Sequence, residues 1–121
     1  MQKKRLVLVA ASDFSVTSRI NDVARKLGLD VYFLRRPSEV FRDFSVQPDM
    51  LIVDLNDRVI DVMDLIERVR KDSKFSSLPI LGFLSHHQLV LKEKAEKAGC
   101  SLVVPRDLFA EKIKIFLESG L

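Results

Sequence analysis

The sequence predicts an α/β fold, a single doubly wound five-stranded parallel sheet with helices on both faces. Three observations carry that prediction. Apolar runs of strand length alternate with stretches of helix length through the whole chain. The strand runs are apolar with little alternation, as strands covered on both faces must be. The 121 residues suit one domain, 1–121, with a sizeable core.

Arg5–Ala11 (RLVLVAA) is nearly continuous Leu and Val and reads as the first strand. Val16, Ile20, Val23, Ala24 and Leu27 then recur at helical spacing and form one stripe. Ser12 or Asp13 can cap the start of that helix, Arg25 and Lys26 suit its negative end, and Gly28 supplies the stop. Leu29–Leu34 reads as the second strand. Pro37 opens a short helix expected to run through Phe44, and Pro48 closes the unit.

Met50–Leu55 (MLIVDL) is the third strand, followed by turn chemistry at Asn56 and Asp57. Val62, Leu65, Ile66 and Val69 mark the next helix. After a loop at Ser76 and Ser77, Pro79–Leu84 reads as the fourth strand. A helix is expected from His87 to Ala98, ended by Gly99, with Leu91, Ala95 and Ala98 on one side. Leu102–Val104 is a short fifth strand, and Phe109, Ile113, Phe116 and Leu117 stripe the last helix. Parallel strands need crossovers, which are right-handed, so these units imply helices on both faces of the sheet.

Composition narrows the function classes. Hydrophobic residues make up 47% and charged residues 31%, an ordinary globular balance. The single cysteine, Cys100, cannot form an internal disulfide, which fits a reducing, cytoplasmic setting. It reads as a small buried hydrophobe rather than a nucleophile. No apolar run approaches the ~20 residues of a membrane span. The start, MQKKRLVLVAAS, has the basic-then-apolar look of a short signal peptide, but Ser12 and Asp13 lead straight into a helix and the apolar stretch is needed as a core strand. The formal charge is +3 with one basic run, Lys3 to Arg5, so neither nucleic-acid nor membrane binding is expected.

The glycines Gly28, Gly82, Gly99 and Gly120 are isolated, against a phosphate-cradling loop. The neighbours His86 and His87 do not converge on one metal, and no Cys or second acid lies at ligand spacing. They are expected as helix-start polar residues. No nucleophile and base stand together, so no enzyme is expected.

In a doubly wound sheet, chemistry sits beyond the carboxyl ends of the strands. The informative residues are therefore Ala10–Asp13, Arg35–Arg36, Asp54–Arg58, Leu84–His87 and Pro105–Asp107. One acid at the end of the third strand (Asp54 in IVDL), the five β-α units and the stretch AGCSLVVPRDLF together resemble a response-regulator receiver domain, over essentially the whole chain. The resemblance implies a flavodoxin-like fold, strand order 2-1-3-4-5, and a role in two-component phosphorelay signalling. It also implies a chemistry. One aspartate accepts a phosphoryl group, and an acidic pair after the first strand helps hold a Mg²⁺ that offsets the transferring charge. A Thr or Ser after strand four and a Lys after strand five hold the phosphoryl oxygens.

Carried over by position, Asp54 matches the acceptor. The acidic pair falls on Ala10 and Ala11, or on Ala11 and Ser12, with Asp13 following. The hydroxyl position falls on Leu84, with Ser85 adjacent, and the lysine position on Arg106. Val103 falls where many receivers place a rotamer-switching aromatic. Asp57 begins an acidic stretch with Asp61 and Asp64 beside the site. Alanines in place of the pair cost Mg²⁺ most of its hard oxygen ligands, and a planar guanidinium is no simple substitute for an ammonium.

The reading that follows is a degenerate receiver, acting without an attached output region as a phosphorylation-independent protein-interaction module. Asp54 is then kept as the ion-pair partner of Arg106. No cofactor is expected, and Mg²⁺ enters only if Asp54 is phosphorylated. By resemblance, a protein partner, or a second copy of the chain, docks on a face around Leu89, Lys92, Val103, Phe109 and Ile113. Two alternatives stand beside it. One is a phosphoacceptor with an unusual metal site at Asp13, Asp54 and Arg106. The other is a small-anion or nucleotide-binding domain using Ser12, Ser15, Thr17 and Ser18 at a helix N-terminus.

Overall fold

In a computed structural model describing residues 5–119, the apolar runs become β1 (Leu6–Ala10), β2 (Asp30–Phe33), β3 (Pro48–Asp54), β4 (Ile80–Leu84) and β5 (Leu102–Pro105). All pairings are parallel, in the order β2-β1-β3-β4-β5. Every residue of β1 and β4 is buried, and β3 is buried except at Asp49, while the edge strand β2 is only half covered. That gradient explains why the central runs carry continuous Leu, Ile and Val.

Two helices cover one face of the sheet. From α1 (Phe14–Leu27) come Val16, Ile20 and Ala24, and from α4 (Arg106–Ser119) come Phe109, Ile113, Phe116 and Leu117. They pack on Val7, Val9, Ile52, Leu81 and Phe83. The opposite face is covered by α2 (Val62–Lys71) and α3 (Leu89–Ala98), with Val62, Leu65, Ile66, Val69 and Ala95 against Leu8, Leu51, Val53 and Ile80. Each buried Leu, Ile or Phe contributes about 1.5–3 kcal/mol relative to exposure, so the helix stripes hold the layers together.

Helix limits follow local chemistry. Asp13, not Ser12, is the N-cap of α1, and its side chain accepts from Ser15 N–H. Gly28, at φ 72°, ends that helix in the left-handed region that costs glycine nothing. The crossover after β2 differs from expectation: it is a five-residue 3-10 helix, Pro37–Phe41, rather than a helix through Phe44. Only Val40 in it is buried, so no helical stripe exists to extend. Phe44 instead turns inward, its ring edge-on to Tyr32 at 5.2 Å. α3 begins at Leu89 rather than His87, because His87 sits at φ 65°, outside right-handed helical geometry.

Pro48 opens β3, where a missing N–H costs a strand least. Lys3, Lys4 and Gly120 lie outside the described residues. Among the described residues no helix is long and apolar enough to cross a membrane. Because the strands are parallel, the loops following β1, β3, β4 and β5 gather at one edge of the sheet.

Candidate functional site

At that edge stands Asp54, the last residue of β3 and a buried charged side chain, 3% exposed. Its Oδ1 accepts from Asn56 N–H at 2.9 Å, and its Oδ2 faces Arg106 Nη2 at 3.4 Å. Burial pushes its carboxyl above the usual aspartate range; the Asn56 N–H and the Arg106 charge pull the other way, and Asp57 and Asp13 add to the rise.

Arg106 is the first residue of α4, so the turn out of β5 aims it across the sheet edge. Its guanidinium lies 5.6 Å above the Phe83 ring, a cation-π contact that fixes its stem. The fork reaches two carboxylates: Nη2 to Asp54, and Nη1 to Asp13 Oδ2 at 3.2 Å. Asp13 spends its other oxygen, Oδ1, on Ser15 N–H at 2.9 Å and Ser15 O–H at 2.7 Å. Those Ser15 bonds, then Arg106, hold the Asp13 carboxyl down at about 2.

Asp57 is engaged on both oxygens. Oδ1 accepts from Ser12 N–H at 2.9 Å and from the Ser12 hydroxyl. Oδ2 accepts from Val59 N–H at 3.1 Å and Ile60 N–H at 2.8 Å. Partial burial works to raise this carboxyl, but the bonds from Ser12, Ile60 and Val59 outweigh it and the net shift is downward. Ala10 and Ala11 are buried beside these acids, as is Leu84, while Ser85 is exposed.

No protein-family model matches this sequence, and neither does any curated protein. Solved structures do match. A putative response regulator from Chloroflexus aurantiacus aligns over 98% of this chain and 98% of its own, with TM-score 0.81 and 22% identity. The chemotaxis response regulator CheY4 of Vibrio cholerae aligns over 98% and 100%, with TM-score 0.80 and 18% identity. The receiver domain of the sensor histidine kinase PA1611 from Pseudomonas aeruginosa aligns over 96% of each chain, with TM-score 0.78 and 15% identity. The fold is that of a receiver domain.

The PA1611 receiver holds a magnesium ion in its active site cleft. In this receiver fold the carboxylates do not suit one. Magnesium asks for several hard oxygens in near-octahedral array. Every oxygen of Asp13, Asp54 and Asp57 already accepts from, or faces, a protein donor. Among the described residues no three His, Cys, Asp or Glu side chains converge where a metal could sit. The cation beside Asp13 and Asp54 is the Arg106 guanidinium itself.

The ion pair expected between Asp54 and Arg106 is thus part of a three-residue bridge. Sequence reasoning gave Asn56 only turn chemistry and missed Gln88 as a site residue. Asn56 Nδ2 donates to Gln88 Oε1 at 2.8 Å, and Ser85 N–H donates to Asn56 Oδ1 at 2.8 Å. Two amides far apart in sequence leave no spacing signal. His86 was expected at a helix start but lies before α3, its Nε2 2.9 Å from Asp107 Oδ1.

The docking face needs correction. Val103, Phe109 and Ile113 are 6%, 3% and 0% exposed, so they are core: Phe109 and Ile113 offer a partner no surface, and Val103 shows only an edge. Phe109 and Ile113 belong to the very stripe that seats α4 on the sheet. Leu89 is 70% exposed and Lys92 partly so; Leu108 and Ile115 are the apolar residues α4 turns outward. A small groove, lined by Leu84, Leu89, Lys92 and Val103 among others, runs between α3 and β5. Cys100 is buried, and burial pushes its thiol up to about 12, which makes it a poor nucleophile.

Proposed function

We propose that this chain is a cytoplasmic signalling module of receiver fold that acts through a protein partner and without phosphoryl transfer. The observation that carries the reading is Arg106, which bridges Asp54 and Asp13 with a permanent positive charge. A phosphoryl group added to Asp54 Oδ2 would have to displace that guanidinium or share it. The acidic pair that holds the charge-offsetting metal in the resembled family is replaced here by Ala10 and Ala11. Arg106 pairs where a lysine would hold phosphoryl oxygens, and Leu84 offers no hydroxyl. The partner then reads a surface held in one state, with Leu89, Leu108 and Ile115 as its exposed apolar elements.

The anion-binding alternative is disfavoured by Asp13. Its carboxylate takes the Ser15 N–H and hydroxyl at the start of α1 and sets a negative charge where an incoming anion would sit. Phosphoacceptor chemistry is tested directly. The protein is incubated with acetyl phosphate and Mg²⁺ and its intact mass recorded, with Asp54→Asn in parallel. No phosphoryl adduct is expected on either. An adduct on the wild type that Asp54→Asn lacks overturns the proposal.

A further inference from the structure

We infer that the loops at the carboxyl edge are tied into a closed ring by four side-chain bridges, so that the edge holds or yields as one unit. This goes beyond the reading above and does not depend on which partner docks. The ring runs as follows in space. Ser12, after β1, is joined to Asp57, after β3, at 2.9 Å. Asn56, after β3, is joined to Gln88, after β4, at 2.8 Å. His86, after β4, is joined to Asp107, after β5, at 2.9 Å. Arg106, after β5, returns to Asp13, after β1, at 3.2 Å.

Each bridge joins a different pair of loops, and together they visit all four without a gap. The loop after β2 stands outside, its Glu39 bonding within its own turn to Arg35 N–H. The second arm of Arg106 anchors the ring to the sheet through Asp54. Such closure has an energetic consequence. A bridge formed between loops that the other bridges already hold pays less ordering entropy than one formed alone. The bridges therefore support one another even where they share no atom.

The ring also connects two exposed apolar positions, Phe14 at the start of α1 and Leu89 at the start of α3, 82% and 70% exposed. They flank different bridges. A partner that shifts one loop is felt at the other through the ring, a coupling of two places by one shared element.

The test cuts opposite bridges. Asn56→Ala removes one, taking away the bonds to both Gln88 and Ser85 across the same two loops. Asp13→Ser removes the other while keeping an oxygen to cap α1. Urea unfolding is measured for each variant and for the pair. Independent sites multiply their effects on the unfolding constant to within about twofold. The ring predicts a double variant whose effect falls short of the product by more than that.

Amide hydrogen exchange gives the second measurement. In Asp13→Ser, exchange should rise several-fold at Ser85, two bridges away, with Ile52 in mid-sheet unchanged. Multiplicative effects, or a rise confined to the loops of the cut bridge, overturn the inference. Should either variant fail to fold, Asp57→Ala, which removes the acceptor of both Ser12 bonds, and His86→Ala cut the other opposite pair and carry the same two readings.

Discussion

Replacing Arg106 by Met keeps an apolar stem over Phe83 and removes the charge beside Asp54. The two groups stand 3.4 Å apart, with the carboxylate side chain 5% exposed and the guanidinium side chain 41% exposed. At an effective dielectric of about 20 their attraction is about 5 kcal/mol, and at water's value about 1 kcal/mol. The exposed arginine and the long contact put the net effect near the lower figure. The variant should therefore lose about 1–2 kcal/mol at neutral pH in urea unfolding.

The pH dependence identifies the cause. Asp54 already has its carboxyl raised by burial, and losing Arg106 raises it further. A folded carboxyl titrating above its unfolded value binds more protons in the native state between the two. Stability from this group is thus gained as pH falls through the folded value, and lost as pH rises through it. The deficit of Arg106→Met against wild type should shrink from pH 7 toward pH 4. In an Asp54→Asn background the same substitution should cost much less. A deficit independent of pH, and equal in both backgrounds, would refute the reasoning.

Gly99 sits at φ 130°, and a Cβ there would collide with the Arg70 side chain, so Gly99→Ala should destabilise by about 1–3 kcal/mol in urea unfolding. The same change should unseat Arg70, whose Nε donates to Gly99 O at 2.8 Å. Cys100 should resist a thiol reagent in the native protein and react at the rate of unfolding, because its thiol is buried and pushed up to about 12. Fast labelling under native conditions would contradict that placement.

The fold was legible because its signals are one-dimensional. Five apolar runs, the stripe Val62, Leu65, Ile66 and Val69, and a glycine at φ 72° each declare themselves within a few residues. The short second crossover was less so. Pro37 marks a start, but nothing local says that Phe44 packs on Tyr32 instead of continuing a turn. The site divided in the same way. Asp54 and Arg106 are reached by position, as the acid at the end of the third apolar run and the cation just after the fifth, whereas Gln88 meets Asn56 across 32 positions and His86 meets Asp107 across the sheet edge. The docking face failed for a sharper reason: Phe109 and Ile113 served in sequence both as core stripe and as surface, and burial at 3% and 0% allows only the first.

Why a guanidinium belongs at this edge follows from charge constancy. A metal and a phosphoryl group arrive and leave, and a site built on them has two charge states to choose between. Arg106 brings its charge as part of the chain, with no ligand to arrive or leave. Its fork reaches Asp13 and Asp54 together, which one ammonium point charge does less well. A ligand shifts a two-state element only through a difference in affinity for its states. With its counter-charge covalently attached, the proposed module presents its partner with one edge geometry. Regulation would then have to come from the partner's abundance or from the bridges between loops, rather than from Asp54.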